Sequence, residues 1–180
     1  VAAPYSDCIA YRMACSLPKG CTVTLSLRHP DKKSEITPTR DGWILKGQGH
    51  NGGTRFENAV RVQAIEGRVS LDGGILRIDN CKELLVLSST KTDYNSREPD
   101  SPLKNNLADL NRNILDAASR AGWKKLEQET AKYFSERMMR CQVDIGDTPA
   151  EIAQKTTPER IQLVKQGGKD PDLIEQLFQF

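Results

Sequence analysis

The stretch "WILKGQGHNGGTRFENAVRVQAIE", Trp43 to Glu66, admits two architectures that exclude one another. Gly47-Gln48-Gly49-His50-Asn51-Gly52 satisfies the G-x-G-x-x-G pattern of a dinucleotide-binding loop. A strand at Trp43 to Lys46 precedes it, and Glu66 ends a second apolar stretch about 20 residues on, where the acid that binds a ribose would sit. Phosphate binding by such a loop needs a crossover helix, whose free N–H groups and positive dipole end hold the pyrophosphate. A parallel crossover takes about a dozen residues or more. Only seven residues, one of them Gly53, separate Gly52 from the alternating run Val60, Val62, Ala64, so no such helix fits. The expectation is two antiparallel strands joined by a glycine-rich turn, with no cofactor.

The rest of the first half speaks the same language. From Cys8 to about Tyr94 apolar residues recur at period two or in short runs bounded by turn residues, which is a strand signal. In "TVTLSLRH" Val23, Leu25 and Leu27 alternate with Thr22, Thr24 and Ser26, one buried face and one wet. "RVSLDGGILRID" reads as a hairpin, with Val69 and Leu71 before the Asp72-Gly73-Gly74 turn and Leu76 and Ile78 after it. "LLVL", Leu84 to Leu87, is apolar on both faces and predicts a central, fully covered strand. Short strands at about ten-residue spacing predict a sandwich of antiparallel sheets.

After Tyr94 the period changes. Asn95 to Pro102 is polar with two prolines and reads as a linker or edge loop. Leu103, Leu107, Leu110, Ile114 and Ala117 follow at helical spacing as far as Gly122, and a second pattern from Trp123 and Leu126 through Tyr133 and Phe134 runs to about Cys141. Thr157-Pro158-Glu159 starts a short helix that Gly167-Gly168 ends, and Asp170-Pro171 starts another with Leu173, Ile174, Leu177 and Phe178 as its apolar stripe. That last helix reaches Phe180 without a cap or a polar tail, and a helix of about 11 residues is marginal without packing. The expectation is that the natural polypeptide continues.

Composition narrows the function classes. The 180 residues suit one substantial core or two small ones, at about 100 to 200 residues per domain. The formal net charge is +2, and no run of like charge forms a nucleic-acid footprint; Lys32-Lys33 and Lys124-Lys125 are isolated pairs, read as solvated. No apolar segment approaches the roughly 20 residues of a membrane span. Cys8, Cys15, Cys21, Cys81 and Cys141 contain no C-x-x-C pair and are read as buried free thiols. His29 and His50 have no partner at metal-like spacing and are read as loop or strand-end residues, so no metal site is expected. Val1-Ala2-Ala3-Pro4-Tyr5 lacks the basic and apolar parts of a signal peptide.

Taken in order, the junctions resemble one family. "ELLVLSSTKTDYN" (Glu83 to Asn95) resembles the last strand of the N-terminal β super-sandwich of family 95 glycoside hydrolases, known as α-L-fucosidases. "RCQVDIG" (Arg140 to Gly146) is similar to the family's Arg-x-x-Leu-x-Leu-Gly stretch after its linker helices. "TTPERI" and "DPDLIEQLFQF" resemble the segments that open its catalytic (α/α)6 barrel. Thr130 departs from the family, which has a histidine there. "YSDCIAYRMACS" looks like a strand from the middle of the β-domain, which implies truncation at both ends.

The resemblance implies three parts: residues 1–95 from the β super-sandwich, 96–150 a helical linker, and 151–180 the start of the catalytic barrel. It implies an inverting exo-glycosidase that releases terminal α-L-fucose or α-L-galactose from glycans, secreted or periplasmic. Inversion needs two carboxyl groups about 6.5 to 9.5 Å apart with water between them. The family's glutamate acid, and the asparagines and aspartate that position the water, belong to the barrel beyond Phe180. No catalytic residue is therefore assigned, and Asp7, Glu57, Asp93, Glu127 and Glu136 are read as solvated or capping residues. If sandwich loops reach the active-site mouth, His50 and Asn51 are the candidates for sugar contact. Two rival expectations are a carbohydrate-binding β module, against which the sparse aromatics Trp43 and Trp123 argue, and an interaction fragment.

Overall fold

The computed structural model describes residues 1–31 and 33–179; Lys32, Phe180 and the side chain of Asn51, with the expectations that rest on them, lie outside the described residues. The chain divides into two compact units, Val1–Ala131 and Lys132–Phe180.

The first unit is built on two antiparallel sheets. The larger comprises β1 (Ala2–Ala3), β2 (Cys8–Ala14), β4 (Glu35–Thr39), β5 (Gly42–Gln48), β6 (Arg55–Ile65) and β9 (Glu83–Thr92), in the order β1-β2-β9-β6-β5-β4. The smaller comprises β3 (Cys21–Leu25), β7 (Arg68–Asp72) and β8 (Ile75–Cys81), in the order β3-β8-β7. The "LLVL" run lies in β9, between β2 and β6, and its two faces feed two cores. Leu84 joins Trp43, Val62, Leu76, Ile78 and Cys81 in the layer between the sheets, with Val23, Leu25, Ile36 and Val60 packed around them. Leu85 and Leu87 face the other way, joining Ala10 and Ala59 with Leu115, Ala118 and Leu126 of a helix, α1 (Leu107–Met138). The sandwich expected from sequence is present, and a helix covers the outer face of its larger sheet.

Local chemistry explains the turns. Gly73 and Gly74 hold φ of 53° and 80°, the pair of positive values that a tight hairpin between β7 and β8 requires. The hairpin is as expected, yet Val69 and Leu71 are exposed because β7 is the edge of the small sheet. Pro38 also lies on an edge strand, β4, where a missing N–H removes no necessary ladder bond. At Gly42 the constraint is space: a Cβ there would sit 1.9 Å from the Val60 carbonyl oxygen. Gly42→Ala should push β5 from β6 and destabilise the unit by about 1–3 kcal/mol, read from the urea midpoint.

Gly122 (φ 71°, ψ 168°) is non-helical and separates two helices within the Leu107–Met138 span, at the helix end that the sequence led one to expect. The structure does revise two other readings of the sequence. The buried stripe of α1 is Asn111, Leu115 and Ala118, whereas Leu110 and Ala117 are exposed. The stripe is offset from the purely apolar one because a buried polar residue, Asn111, belongs to it. Of the five thiols only Cys8 and Cys81 are buried; Cys15 and Cys21 are half-buried and Cys141 is exposed.

The second unit contains α2 (Ala150–Ala153), α3 (Thr157–Lys165) and α4 (Pro171–Gln179). The hydroxyl that starts α3 belongs to Thr156 rather than Thr157. The Glu159 carboxylate accepts from the Thr156 N–H at 2.8 Å and from its hydroxyl at 2.7 Å, which lowers the Glu159 pKa. Asp170 precedes α4 and is the unit's buried hub. Its oxygens accept from Arg160 Nε and Nη2, each at 2.7 Å, and from the Thr148 hydroxyl at 3.0 Å. The Thr148 hydroxyl oxygen in turn accepts from the Asp172 N–H, and the Leu173 N–H reaches Asp170, so one carboxylate anchors the first turn of α4. The apolar residues Ile174, Leu177 and Phe178 of α4 are exposed.

Candidate functional site

The glycine-rich stretch is the hairpin loop between β5 and β6, whose ladder runs from Gly42 opposite Arg61 to Gln48 opposite Arg55. The Gly49 N–H donates to the Thr54 carbonyl at 2.9 Å, closing the loop, and the Gln48 side-chain amide donates to the Gly53 carbonyl at 2.9 Å. Between them His50–Gly52 makes a single 3-10 turn, too short to offer a phosphate the end of a helix. His50 is exposed on this loop, and Asn51 follows it in the same turn. His29, the other histidine, packs against Phe56 with ring centroids 5.8 Å apart.

Concave surface lies beside the loop rather than at its tip. One cavity of about 310 Å³ is walled by Lys46, Gly47, Arg55, Phe56, Glu57 and the segment Asn105 to Ala108. Another, of about 190 Å³, runs along the seam between β5, β6 and α1, and Glu57 and Ala108 line it too. His50 is in neither wall. Glu57, by contrast, lines both cavities.

Glu57 and Asp93 correct the expectation that the acidic residues are solvated or capping: they are 5% and 2% exposed. Glu57 points from β6 toward α1. Its backbone carbonyl accepts from Asn111 Nδ2 at 2.9 Å, its Oε1 lies 3.4 Å from the same nitrogen, and Lys46 Nζ is 3.7 Å from Oε2. Asn111 Oδ1 is buried and receives no hydrogen bond. Sequence offered one signal for this pair: Glu57 stands in alternation with Ala59, on a strand face that had to be covered.

Several other carboxylates around the sheet are bound by guanidinium groups, whereas Asp7 accepts from the Lys91 ammonium. Asp93 accepts from the Arg55 side chain and backbone N–H, each at 2.8 Å, and Arg61 Nη1 reaches Asp116 at 2.7 Å and lies 3.6 Å by Nε from Asp41. Arg12 holds Glu83 through two bonds, of 2.8 and 3.1 Å. In Asp93, Asp116 and Glu83 the arginine hydrogen bond is the main cause of a lowered pKa. A general acid in glycoside hydrolysis needs the opposite, a carboxyl whose pKa is raised so that it carries a proton to the leaving oxygen. These groups fasten strands to one another: Arg55 to Asp93 ties β6 to the end of β9, and Arg61 to Asp116 ties β6 to α1.

Among the described residues no group of histidine, cysteine and carboxylate side chains is placed to hold a metal ion, and no helix is long and apolar enough to cross a membrane. No curated protein matches the chain. A family model described as "Glycosyl hydrolase family 65, N-terminal domain" matches residues 1–97, a span that takes in every strand from β1 to β9. The chain belongs to the glycosyl hydrolase family 65 N-terminal domain family.

Proposed function

We propose that the protein is a segment of an exo-acting, inverting glycoside hydrolase of the family 95, α-L-fucosidase-like type, which releases terminal α-L-fucose or α-L-galactose from glycans. The observation that carries this reading is the match of residues 1–97 to a glycosyl hydrolase N-terminal domain. The order of the junction motifs adds the finer family. In this reading residues 1–95 are part of the β super-sandwich, 96–150 the linker, and 151–180 the first part of the (α/α)6 catalytic domain. The acid and the water-positioning groups belong to the barrel, and the enzyme works in a secreted or periplasmic setting. The arginine-bound carboxylates of the β unit suit a bracing role, since each is held ionised and occupied.

The test is to express the chain with the polypeptide proposed to follow it and to measure L-fucose released from an aryl α-L-fucoside. The expected result is hydrolysis by the extended protein with β-L-fucose as the first product; no hydrolysis of either α-L-fucosides or α-L-galactosides sinks the proposal. In that enzyme His50→Ala or Asn51→Ala should raise KM roughly 3- to 10-fold with kcat little changed, the loss of one sugar hydrogen bond of about 1 kcal/mol. An unchanged KM in both variants would leave the loop a turn only.

A further inference from the structure

The two cavities beside Glu57 offer a ligand no free aromatic ring. Phe56, on the wall of the first, packs against His29. Trp43, on the wall of the second, is 4% exposed, and its indole N–H donates to the Gly74 carbonyl at 2.8 Å. A larger hollow, of about 560 Å³, differs in this respect. It opens on the helix-covered face of the large sheet, where Gly122 breaks the Leu107–Met138 span. Arg12 of β2 and Glu83 of β9 line one side, and Trp123, Lys124 and Glu127, just past the break, line the other. Strand register places the first two there: Arg12 pairs with Leu85 and Glu83 alternates with it, on the face whose Leu85 and Leu87 meet α1.

Each group in the hollow is placed to act on a ligand. Trp123 is half-buried: it packs on the core under α1 and still lines the open space. Arg12 donates to Glu83 from Nε at 2.8 Å and from Nη2 at 3.1 Å, which fixes both side chains and leaves Nη1 outside the fork. The pair is covered only in part, at 36% and 29% side-chain exposure. The Lys124 and Glu127 side chains are exposed and, among the described residues, held by no hydrogen bond. Two cations and two carboxylates balance, so neither an anion nor a cation gains from the local field. An apolar peptide would strip water from four charges and return no hydrogen bonds. A neutral saccharide meets both demands, because its ring C–H groups can lie on the indole while its hydroxyls donate to carboxylates and accept from guanidinium or ammonium.

We propose that this hollow is a non-catalytic binding site for a neutral oligosaccharide, with Trp123 as the stacking surface and Arg12, Glu83, Lys124 and Glu127 as partners for its hydroxyls. Its volume falls within the roughly 300 to 1,000 Å³ of small-molecule sites. One indole and an open mouth make the binding weak, with a dissociation constant on the order of 1 to 10 mM. The inference goes beyond the proposed activity and does not depend on it. Binding is read without hydrolysis, so a failed fucoside assay leaves this site standing, and failure of this site leaves that assay untouched.

The experiment titrates the nitrogen-15-labelled 180-residue chain with fucosyllactose, maltotriose and cellotriose, each taken well above the expected dissociation constant, and follows the two indole N–H resonances. At least one saccharide should move the Trp123 resonance while that of Trp43, buried and already hydrogen-bonded, stays in place. Affinity read from the Gly122 and Lys124 amides should fall about tenfold or more in Trp123→Ala and about threefold to tenfold in Glu127→Gln. A native Trp43 resonance shows that a variant is folded; if Trp123→Ala loses it, Glu127→Gln, on an exposed side chain, decides. No movement of Trp123 with any of the three saccharides overturns the proposal. So does movement of Trp43 alone, or an affinity that survives the deciding substitution.

Discussion

Replacing Leu87 with alanine should lower the stability of the β unit by about 2–5 kcal/mol, and replacing Leu84 should do the same from the opposite face of one strand. Both side chains are essentially inaccessible, at 0% and 1% exposure, so neither site can refill with water or relax into solvent. Leu87 fills the layer under α1 and Leu84 the layer between the sheets. The two losses should therefore add to within about 0.5 kcal/mol, since the residues share no cavity. The control is Leu71→Ala on the exposed edge strand β7, expected to change stability by about 0.5 kcal/mol or less. Urea unfolding followed by tryptophan fluorescence reads all three, because both tryptophans, Trp43 and Trp123, belong to this unit. Near-neutral effects at Leu84 and Leu87 would mean that β9 is not the shared spine of the two cores.

Asp170→Ala should unfold much of the second unit while the first persists. It leaves the Arg160 guanidinium, itself 6% exposed, buried without its bidentate partner, and removes the acceptor that gathers Thr148 and the Leu173 N–H. Removing both charges is expected to be milder than removing one, so an Arg160→Met/Asp170→Leu double variant should recover part of what the single variant loses. Hydrogen exchange resolved by segment reports the outcome over residues 132–179. The same pair sets an acid limit. The Arg160 hydrogen bond is the main cause that lowers the Asp170 pKa to about 2, below the roughly 3.9 of an unfolded aspartate. Its stabilisation is thus fully present above that unfolded value and is lost as pH falls from about 4 toward 2. Exchange protection in the second unit should fall across that window, and Asp170→Asn should remove the dependence.

What sequence made legible follows the range of the interactions. The β7 to β8 hairpin was readable because Gly73-Gly74 encodes its turn within a few residues. The antiparallel step from β5 to β6 was readable because seven residues cannot hold a crossover helix. β9 was readable as covered on both faces because "LLVL" leaves no polar side. The buried state of Glu57 and Asp93 was not readable, since it depends on Asn111 and Arg55, which are remote in the chain and adjacent only in the fold. Asn111 also misled the helix pattern: counting apolar residues alone selects Leu110 and Ala117, which face water. The candidate site was legible only in part. His50 and Asn51 are on a loop, as the glycines require, whereas the two cavities beside that loop share Glu57, which no local motif marks.

The place of β9 in the large sheet has a consequence for synthesis. Its partners β2 and β6 pair with it over Ile9 opposite Ser88 and Phe56 opposite Thr92, so the sheet is joined by the last strand to be made. On a ribosome the β5–β6 and β7–β8 hairpins can form as they emerge, each from neighbouring residues. β2, which has only the short β1 beside it, must wait for its long partner, with the apolar "LLVL" still to come. Closure of the sandwich is then a late, long-range event, of the kind that folds slowly and leaves sheet edges open to wrong partners in the interval.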